Sequence, residues 1–221
     1  RIYPVPLSAY SVAKRNADKS WKKSWVEYEI REKTPEPHRK ESIKIYPKTM
    51  RVIKRENEEE VRRILKKQVT TVESLLAGRK EGISLGVIKP ILEKFEIKPR
   101  ERAKVWERKF LGQQTLYGEE AVQIDLIDKW IGYQFKCNKE SCSGHKCMCE
   151  DFEVGNLYRN VKAKYSDEHI VYEKMKYRLF DWMREARDLY FVMGTEIKYG
   201  QYLIISLVYP PKIFEKPLTE F

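Results

Sequence analysis

The spacing of apolar and polar positions predicts strands in the first quarter of the chain. Residues 24–32, SWVEYEIRE, alternate between apolar and acidic side chains over most of their length, with the period of two that is typical of a half-buried strand. Residues 42–47 and 50–54 are also extended in character and flank a turn that contains proline. Together with residues 1–7, these segments predict a small β-sheet or a partial barrel.

A helical pattern follows in the middle of the chain. Residues 57–69, NEEEVRRILKKQV, begin with Asn57 as a potential N-cap and three acidic residues in the first turn. Their apolar residues fall on one face, as in an amphipathic helix. Residues 71–79 predict a second, shorter helix that ends near Gly78.

The second half of the chain has a different order of elements. Residues 121–137 are extended and lead into a cysteine-rich loop. Residues 151–165 and 166–188 carry helical periodicity, and residues 189–194 and 201–211 then predict an antiparallel pair of strands. The sequence therefore predicts an α+β protein with an N-terminal small β-sheet or partial barrel, a helical middle, a metal-binding loop, two helices and a C-terminal antiparallel β-hairpin.

The length of 221 residues allows one large or two small domains. We expect a β-rich and helical part over residues 1–118 and an α+β part with the metal loop over residues 119–221, either as two parts or as one continuous domain. Because the chain opens at Arg1 without an initiator Met, we also expect residues upstream of it.

The charge of the chain indicates what kind of partner it binds. Charged residues make up 35% of the sequence, a bias typical of thermophile proteins. The formal net charge of +11 favours phosphate-rich partners, so nucleic acid is expected, with DNA and RNA undecided. No apolar run reaches the length of a membrane span, and we expect a cytoplasmic protein without a membrane partner.

All four cysteines lie in residues 135–153, FKCNKESCSGHKCMCEDFE, together with one histidine. Thiolates and an imidazole suit zinc, which takes four such ligands in a tetrahedron. The spacing favours Cys137, Cys142, His145 and Cys149 as ligands. Cys147 is an alternate ligand, and a Cys147–Cys149 chelate without His145 is a further possibility. Ser143-Gly144 supplies a sharp turn, because Gly144 can adopt positive φ.

This loop resembles a zinc knuckle, the small Cys-Cys-His-Cys module that binds single-stranded nucleic acid. The resemblance lies in the ligand types and their order, while the gaps between ligands differ. An iron–sulfur cluster on four cysteines is a second, lower-ranked interpretation, because ferredoxin-like spacing is absent. Disulfides or free thiols are the alternatives to a metal.

Basic and aromatic residues suggest where nucleic acid would bind. The segment KSWKKSW at residues 19–25 interleaves tryptophans with Lys22 and Lys23, a combination suited to base stacking and phosphate contacts. The predicted helices after the loop add Arg159, Lys162, Lys164 and Arg178, although part of this set belongs to ordinary solvated helix faces.

Three residues are candidates for catalysis. Asp151 and Glu153 follow the cysteine loop directly, and clustered carboxylates hold Mg²⁺ in nucleases that cleave phosphodiesters. His38 lies in a proline-stiffened loop and could act as a general base. Helix capping is the more common role for acids at such a position.

The sequence thus predicts a zinc-stabilised nucleic-acid-binding protein with a basic, aromatic-bearing surface. A metal-dependent nuclease and a zinc-loop module that binds a protein partner are the alternatives. No P-loop, G-x-S-x-G or H-E-x-x-H motif is present, which disfavours a nucleotide-dependent motor or a common hydrolase. The sequence does not decide whether the protein is an enzyme.

Overall fold

The structure is a computed structural model that describes residues 2–3, 23–33, 36, 38–46, 49–100, 127–196 and 200–213. The strands are β1 (Ile2–Tyr3), β2 (Ser24–Glu27), β3 (Ile30–Lys33), β4 (Ile43–Ile45), β5 (Arg51–Arg55), β6 (Val69–Thr70), β7 (Leu85–Ile88), β8 (Pro90–Pro99), β9 (Lys129–Cys137), β10 (His145–Met148), β11 (Tyr190–Thr195) and β12 (Tyr202–Val208). The helices are α1 (Glu58–Gln68), α2 (Val72–Gly78), α3 (Phe152–Lys164), α4 (Glu168–Lys176) and α5 (Trp182–Ala186), with a 3₁₀ turn at Arg79–Glu81 and a π-helical turn at Tyr177–Asp181.

This order of elements confirms the predicted α+β class. The N-terminal strands form two small sheets, of order β1-β4-β3 and β2-β5. The C-terminal strands β11 and β12 pair antiparallel, as their apolar pattern predicts. The extended segment predicted at residues 121–137 is described from residue 127 onwards, and the strand predicted at residues 1–7 is described at Ile2–Tyr3.

Local signals place the ends of the helices. The Asn57 side chain accepts the backbone N–H of Glu60 at 2.8 Å and so caps α1, as predicted. Asp151 caps α3 by accepting the N–H of Glu153 at 2.7 Å. Asp167, between α3 and α4, caps α4 by accepting the N–H of His169 at 2.7 Å. Each cap satisfies one of the N–H groups that a helix leaves unpaired at its start.

Two larger sheets form the body of the described structure. One is antiparallel with the order β10-β9-β8, and the other has the order β12-β11-β7-β6. β8 and β9 pair over their whole length, from Pro90 opposite Cys137 to Pro99 opposite Lys129. Strands from both sides of residues 118–119, where the sequence suggests a boundary, therefore belong to the same sheet.

The core lies where the inner face of the β10-β9-β8 sheet meets the helices α3 to α5 and the β12-β11-β7-β6 sheet. The fully buried rings of Phe95, Tyr133 and Phe135 point inwards from β8 and β9. The Tyr133 hydroxyl donates to the Leu179 carbonyl at 3.1 Å, and the Tyr172 hydroxyl donates to the Phe95 carbonyl at 3.3 Å. These bonds fix the helices on one face of the sheet and leave the opposite face for other roles.

The π-helical turn has a packing explanation. Val171, Met175, Leu179 and Met183 are all buried and follow one another at intervals of four residues. Since an α-helix turns in 3.6 residues, such a stripe drifts by about 40° at each step. A π turn contains more residues per turn, so it corrects part of this drift and keeps Leu179 and Met183 towards the core.

Candidate metal centre

The candidate metal centre forms where the β9–β10 hairpin meets the start of α2. Cys137 is the last residue of β9, His145 is the first residue of β10, and Cys142 lies in the turn between them. Gly144 adopts a φ of 101° in this turn, as its sequence position predicts. Glu73, in the first turn of α2, is the fourth side chain of the group.

Strand register explains why Glu73 reaches the cysteines. Thr70 of β6 lies opposite Ile88 of β7, and Pro90, two residues further along, lies opposite Cys137. The chain leaves β6 and enters α2 within three residues of Thr70. Glu73 is therefore brought to the end of β9 although 64 or more residues separate it from the other members of the group.

Four ligand atoms converge at this point. One oxygen of Glu73, the two Sγ atoms and one nitrogen of His145 all lie within 4.8 Å of one another. His145 Nε2 lies 2.9 Å from Glu73 Oε1 and 3.2 Å from Cys142 Sγ. A tetrahedral zinc site holds its ligand atoms roughly 3.3–3.8 Å apart, given bonds of about 2.3 Å to sulfur and 2.0–2.2 Å to nitrogen and oxygen. The four ligand atoms therefore fit around a metal ion if their separations change by about 1 Å or less.

Backbone groups support the two sulfur atoms. The Val72 N–H donates to Cys137 Sγ at 3.3 Å, and the Cys137 N–H donates to Cys142 Sγ at 3.2 Å. Hydrogen bonds of this kind orient metal ligands and stabilise negative charge on sulfur. A cleft of about 330 Å³ opens beside Cys137 and Cys142.

The electrostatics of the group favour a cation. Burial raises the pKa of the Cys137 thiol to about 11, so this thiol is protonated at neutral pH unless a positive charge replaces the proton. A hydrogen bond from its own backbone N–H lowers the pKa of Glu73, with help from Thr71, Cys142 and His145. The group thus offers one carboxylate that is already ionised and a thiol that a metal would deprotonate.

Cys147 and Cys149 lie elsewhere, although the sequence suggests Cys149 as the fourth ligand and Cys147 as its alternate. Cys147 is opposite Tyr133, four residues from Cys137 along β9 and so about 13 Å away. The Cys149 N–H donates to the carbonyl of Ile131 at 2.8 Å, six residues or about 20 Å from Cys137. Both side chains belong to the hydrophobic core, where burial raises the pKa of Cys147 to about 11.

The positions of the cysteines also bear on the disulfide and iron–sulfur alternatives. No disulfide joins any of the four cysteines. A cluster bound by four cysteines would need Cys147 and Cys149 at the centre, and strand geometry keeps them away. Glu73 takes the fourth position. Its place in a capped helix start gives no sequence signal that separates it from an ordinary first-turn acid.

The catalytic candidates Asp151 and Glu153 lie apart from this centre. Asp151 is buried, with one carboxylate oxygen accepting the Glu153 N–H and the other accepting the Leu207 N–H at 2.6 Å. Exposed Glu153 accepts a bond from the Tyr209 hydroxyl at 3.4 Å. The described part of the chain contains no second group of three or more potential metal ligands.

His38 is placed by its own loop at some distance from the two acids. It is exposed and lies 3.9 Å from a Glu36 oxygen. The neighbouring Arg39 donates to the carbonyl of Thr195, at one end of β11, at 3.0 Å. Leu207, which bonds Asp151, pairs with Phe191 near the other end of β11. The structure therefore does not bring His38 together with Asp151 and Glu153.

The basic residues suggested for nucleic-acid binding occupy separate elements. Lys23 precedes β2 and lies 2.5 Å from Glu58. Helix α3 carries Arg159, Lys162 and the exposed Lys164, and the Lys162 ammonium group forms an ion pair with Asp128 at 3.0 Å. Arg178, in the π turn, stacks on the Trp182 ring at 3.8 Å. Lys22 lies outside the described residues.

Comparison with known proteins adds a family but no characterised relative. Among the described helices, none is long and apolar enough to cross a membrane. No curated protein and no solved structure matches the chain. Residues 67–220 match a family model, and this range includes all four residues of the candidate metal centre. The chain belongs to the family described as Domain of unknown function (DUF8757).

Proposed function

We propose that the protein is a zinc-stabilised nucleic-acid-binding protein, with zinc held by Glu73, Cys137, Cys142 and His145. The convergence of these four ligand atoms within 4.8 Å carries the zinc assignment. Two thiols, an imidazole and a carboxylate are ligands that zinc accepts, and four protein ligands make a closed structural site. Two sulfur atoms are too few for an iron–sulfur cluster bound by cysteine alone.

The zinc ion has a structural role in this proposal. It connects α2 to both ends of the β9–β10 turn and so fixes the β9–β10 hairpin. Strand β9 of this hairpin also pairs with β8. Cys137 and Cys142 are almost fully buried, and only Glu73 is substantially exposed. Zinc binding at such a site contributes directly to folding free energy, because the unfolded chain does not hold the ligands together.

The net charge of +11 supports nucleic acid as the partner. Phosphate groups attract such a chain over a Debye length of about 10 Å at moderate salt. Binding through phosphates releases counterions, so affinity should fall steeply as salt rises. A protein partner held by the hairpin would show a much weaker dependence on salt.

Two measurements test the proposal. Elemental analysis of the purified protein should find about one zinc per chain; iron or no metal at all would overturn the zinc assignment. Labelled oligonucleotides titrated at about 50 and 200 mM salt should bind with an affinity that drops at the higher salt. Absence of binding at low salt contradicts the nucleic-acid function, and Mg²⁺-dependent cleavage would replace it with a nuclease.

A further inference from the structure

The outer face of the β10-β9-β8 sheet carries an unusual set of side chains. Because side chains alternate along a strand, the residues between the buried aromatics point away from the core. We call this set the lysine–tryptophan face; it consists of Lys94, Glu96 and Lys98 from β8, Trp130 and Gln134 from β9, and Lys146 from β10.

A single carboxylate lies among three ammonium groups on this face. Glu96 lies 3.3 Å from Lys94, 3.2 Å from Lys98 and 2.6 Å from Lys146. The Glu96 side chain is only 7% exposed, while those of the lysines are 44–59% exposed. One negative charge neutralises one of the three, so two positive charges are left in excess at the solvent boundary.

Trp130 is positioned on the same face. Its indole ring lies over Gly132, where a Cβ atom would overlap the ring. The ammonium groups of Lys146 and Lys98 lie 5.2 and 6.0 Å from the ring centroid. The ring is thus held against the sheet with two ammonium groups close to it, so little conformational entropy is left to lose when a second flat group stacks on it.

A charge network alone would explain paired lysines on a sheet surface. It does not explain an excess of two positive charges around an aromatic ring that is seated on a glycine. Stacking on a ring while cations contact the backbone is the way in which proteins bind single-stranded nucleic acid. The face measures about 10 Å across three strands and about 13 Å from Lys94 to Lys98, enough for a few nucleotides.

We propose that the lysine–tryptophan face binds single-stranded nucleic acid, with a base on Trp130 and phosphates on Lys98, Lys146 and Lys94. This inference rests on the proposed nucleic-acid function and assigns it to a surface that the sequence did not suggest. A duplex suits the face less well, because its bases are already stacked on one another and cannot reach the indole.

The metal centre and this face share one hairpin. His145, a candidate zinc ligand, is directly followed by Lys146, and the two side chains leave opposite faces of β10. Zinc at the inner side would therefore hold Lys146 in place beside Trp130. Removing the metal should weaken oligonucleotide binding even though no zinc ligand contacts the nucleic acid.

Fluorescence anisotropy with labelled oligo(dT) and oligo(U) of about 12 nucleotides tests the inference, and a duplex of equal length serves as the comparison. The Lys98→Gln, Lys146→Gln double variant should reduce the slope of log affinity against log salt by about 1.4, or about 0.7 for each lost phosphate contact. The Lys67→Gln, Lys80→Gln variant removes the same charge at exposed positions elsewhere and should leave the slope nearly unchanged.

The tryptophan is tested by a matched pair of variants. Trp130→Ala should weaken binding about tenfold, and Trp130→Phe should restore most of the affinity because it keeps an aromatic surface. Oligonucleotide should quench tryptophan fluorescence in the wild type, and the quenching should be smaller in Trp130→Phe. Circular dichroism confirms that each variant is folded, and the charge variants do not alter the core.

The outcomes separate this inference from the proposed function. If the wild type binds no oligonucleotide at low salt, both are overturned. If it binds, and substitutions of Lys162 and Lys164 reduce affinity while those of Trp130, Lys98 and Lys146 do not, the function stands and this surface is wrong. Equal affinity for the duplex and the single strands would also overturn the assignment.

Discussion

Two of the four cysteines, Cys137 and Cys142, are candidate metal ligands, and the other two, Cys147 and Cys149, pack in the core away from the metal centre. Alanine variants of the two pairs should therefore differ in metal content. Cys137→Ala and Cys142→Ala each remove a ligand atom from the candidate metal centre. Cys147→Ala and Cys149→Ala change only the hydrophobic core. We therefore expect zinc to be lost from the first pair of variants and retained at about one per chain in the second pair, although all four cysteines are within 13 residues of one another.

Mass action sets the size of the effect on stability. A metal present at about 1,000 times its dissociation constant stabilises the folded state by about 4 kcal/mol. For a chain of 150–250 residues, each kcal/mol changes the melting temperature by about 2–4 °C, so loss of the metal should lower it by about 8–16 °C. Cys147→Ala removes one buried sulfur, comparable to a methylene, and should cost only about 1 kcal/mol.

Thermal unfolding with and without a chelator measures this difference. The chelator should lower the melting temperature of the wild type and of Cys147→Ala equally, and it should have no effect on Cys137→Ala. Elemental analysis of the same samples checks the stoichiometry. Retention of zinc by Cys137→Ala together with its loss from Cys149→Ala would refute the assignment of ligands.

Three further predictions concern groups outside the metal centre. Hydrogen bonds from Lys146 and its neighbours lower the pKa of Glu96 to about 2, so its stabilising contribution is complete above about pH 4.5 and is lost as the pH falls towards 2. The difference in melting temperature between the wild type and Glu96→Gln should therefore be present at about pH 6 and small at about pH 2.5. Asp151→Ala removes a helix cap and leaves the Leu207 N–H unpaired, which should cost about 2–4 kcal/mol in urea unfolding; an unchanged midpoint would contradict this. Gly132→Ala places a Cβ atom against both the Cys147 backbone carbonyl and the Trp130 ring, so it should loosen the β9–β10 pairing as well as displace the ring. It should lower the melting temperature and weaken oligonucleotide binding in the same assay as Trp130→Ala, and unaltered binding would contradict a role for this hairpin in binding.

The sequence alone determined the features that depend on neighbouring residues. Asn57 and Asp151 cap the helices that their positions predict, because a cap needs only a side chain within three residues of the N–H groups it accepts. The two apolar segments near the C-terminus predict the β11–β12 hairpin. Cys137, Cys142 and His145 come together because one tight turn with Gly144 at positive φ connects them.

Only the tertiary structure decided which side chain completes the metal centre. Along a strand, each residue advances by about 3.3 Å, so Cys147 and Cys149 move away from Cys137 as β10 runs antiparallel to β9. The register of β6, β7 and β8 brings Glu73 to the position that Cys149 was expected to take. The same pairing gathers three lysines and Trp130 from three strands, since cross-strand neighbours are set by register and are not visible in the order of residues.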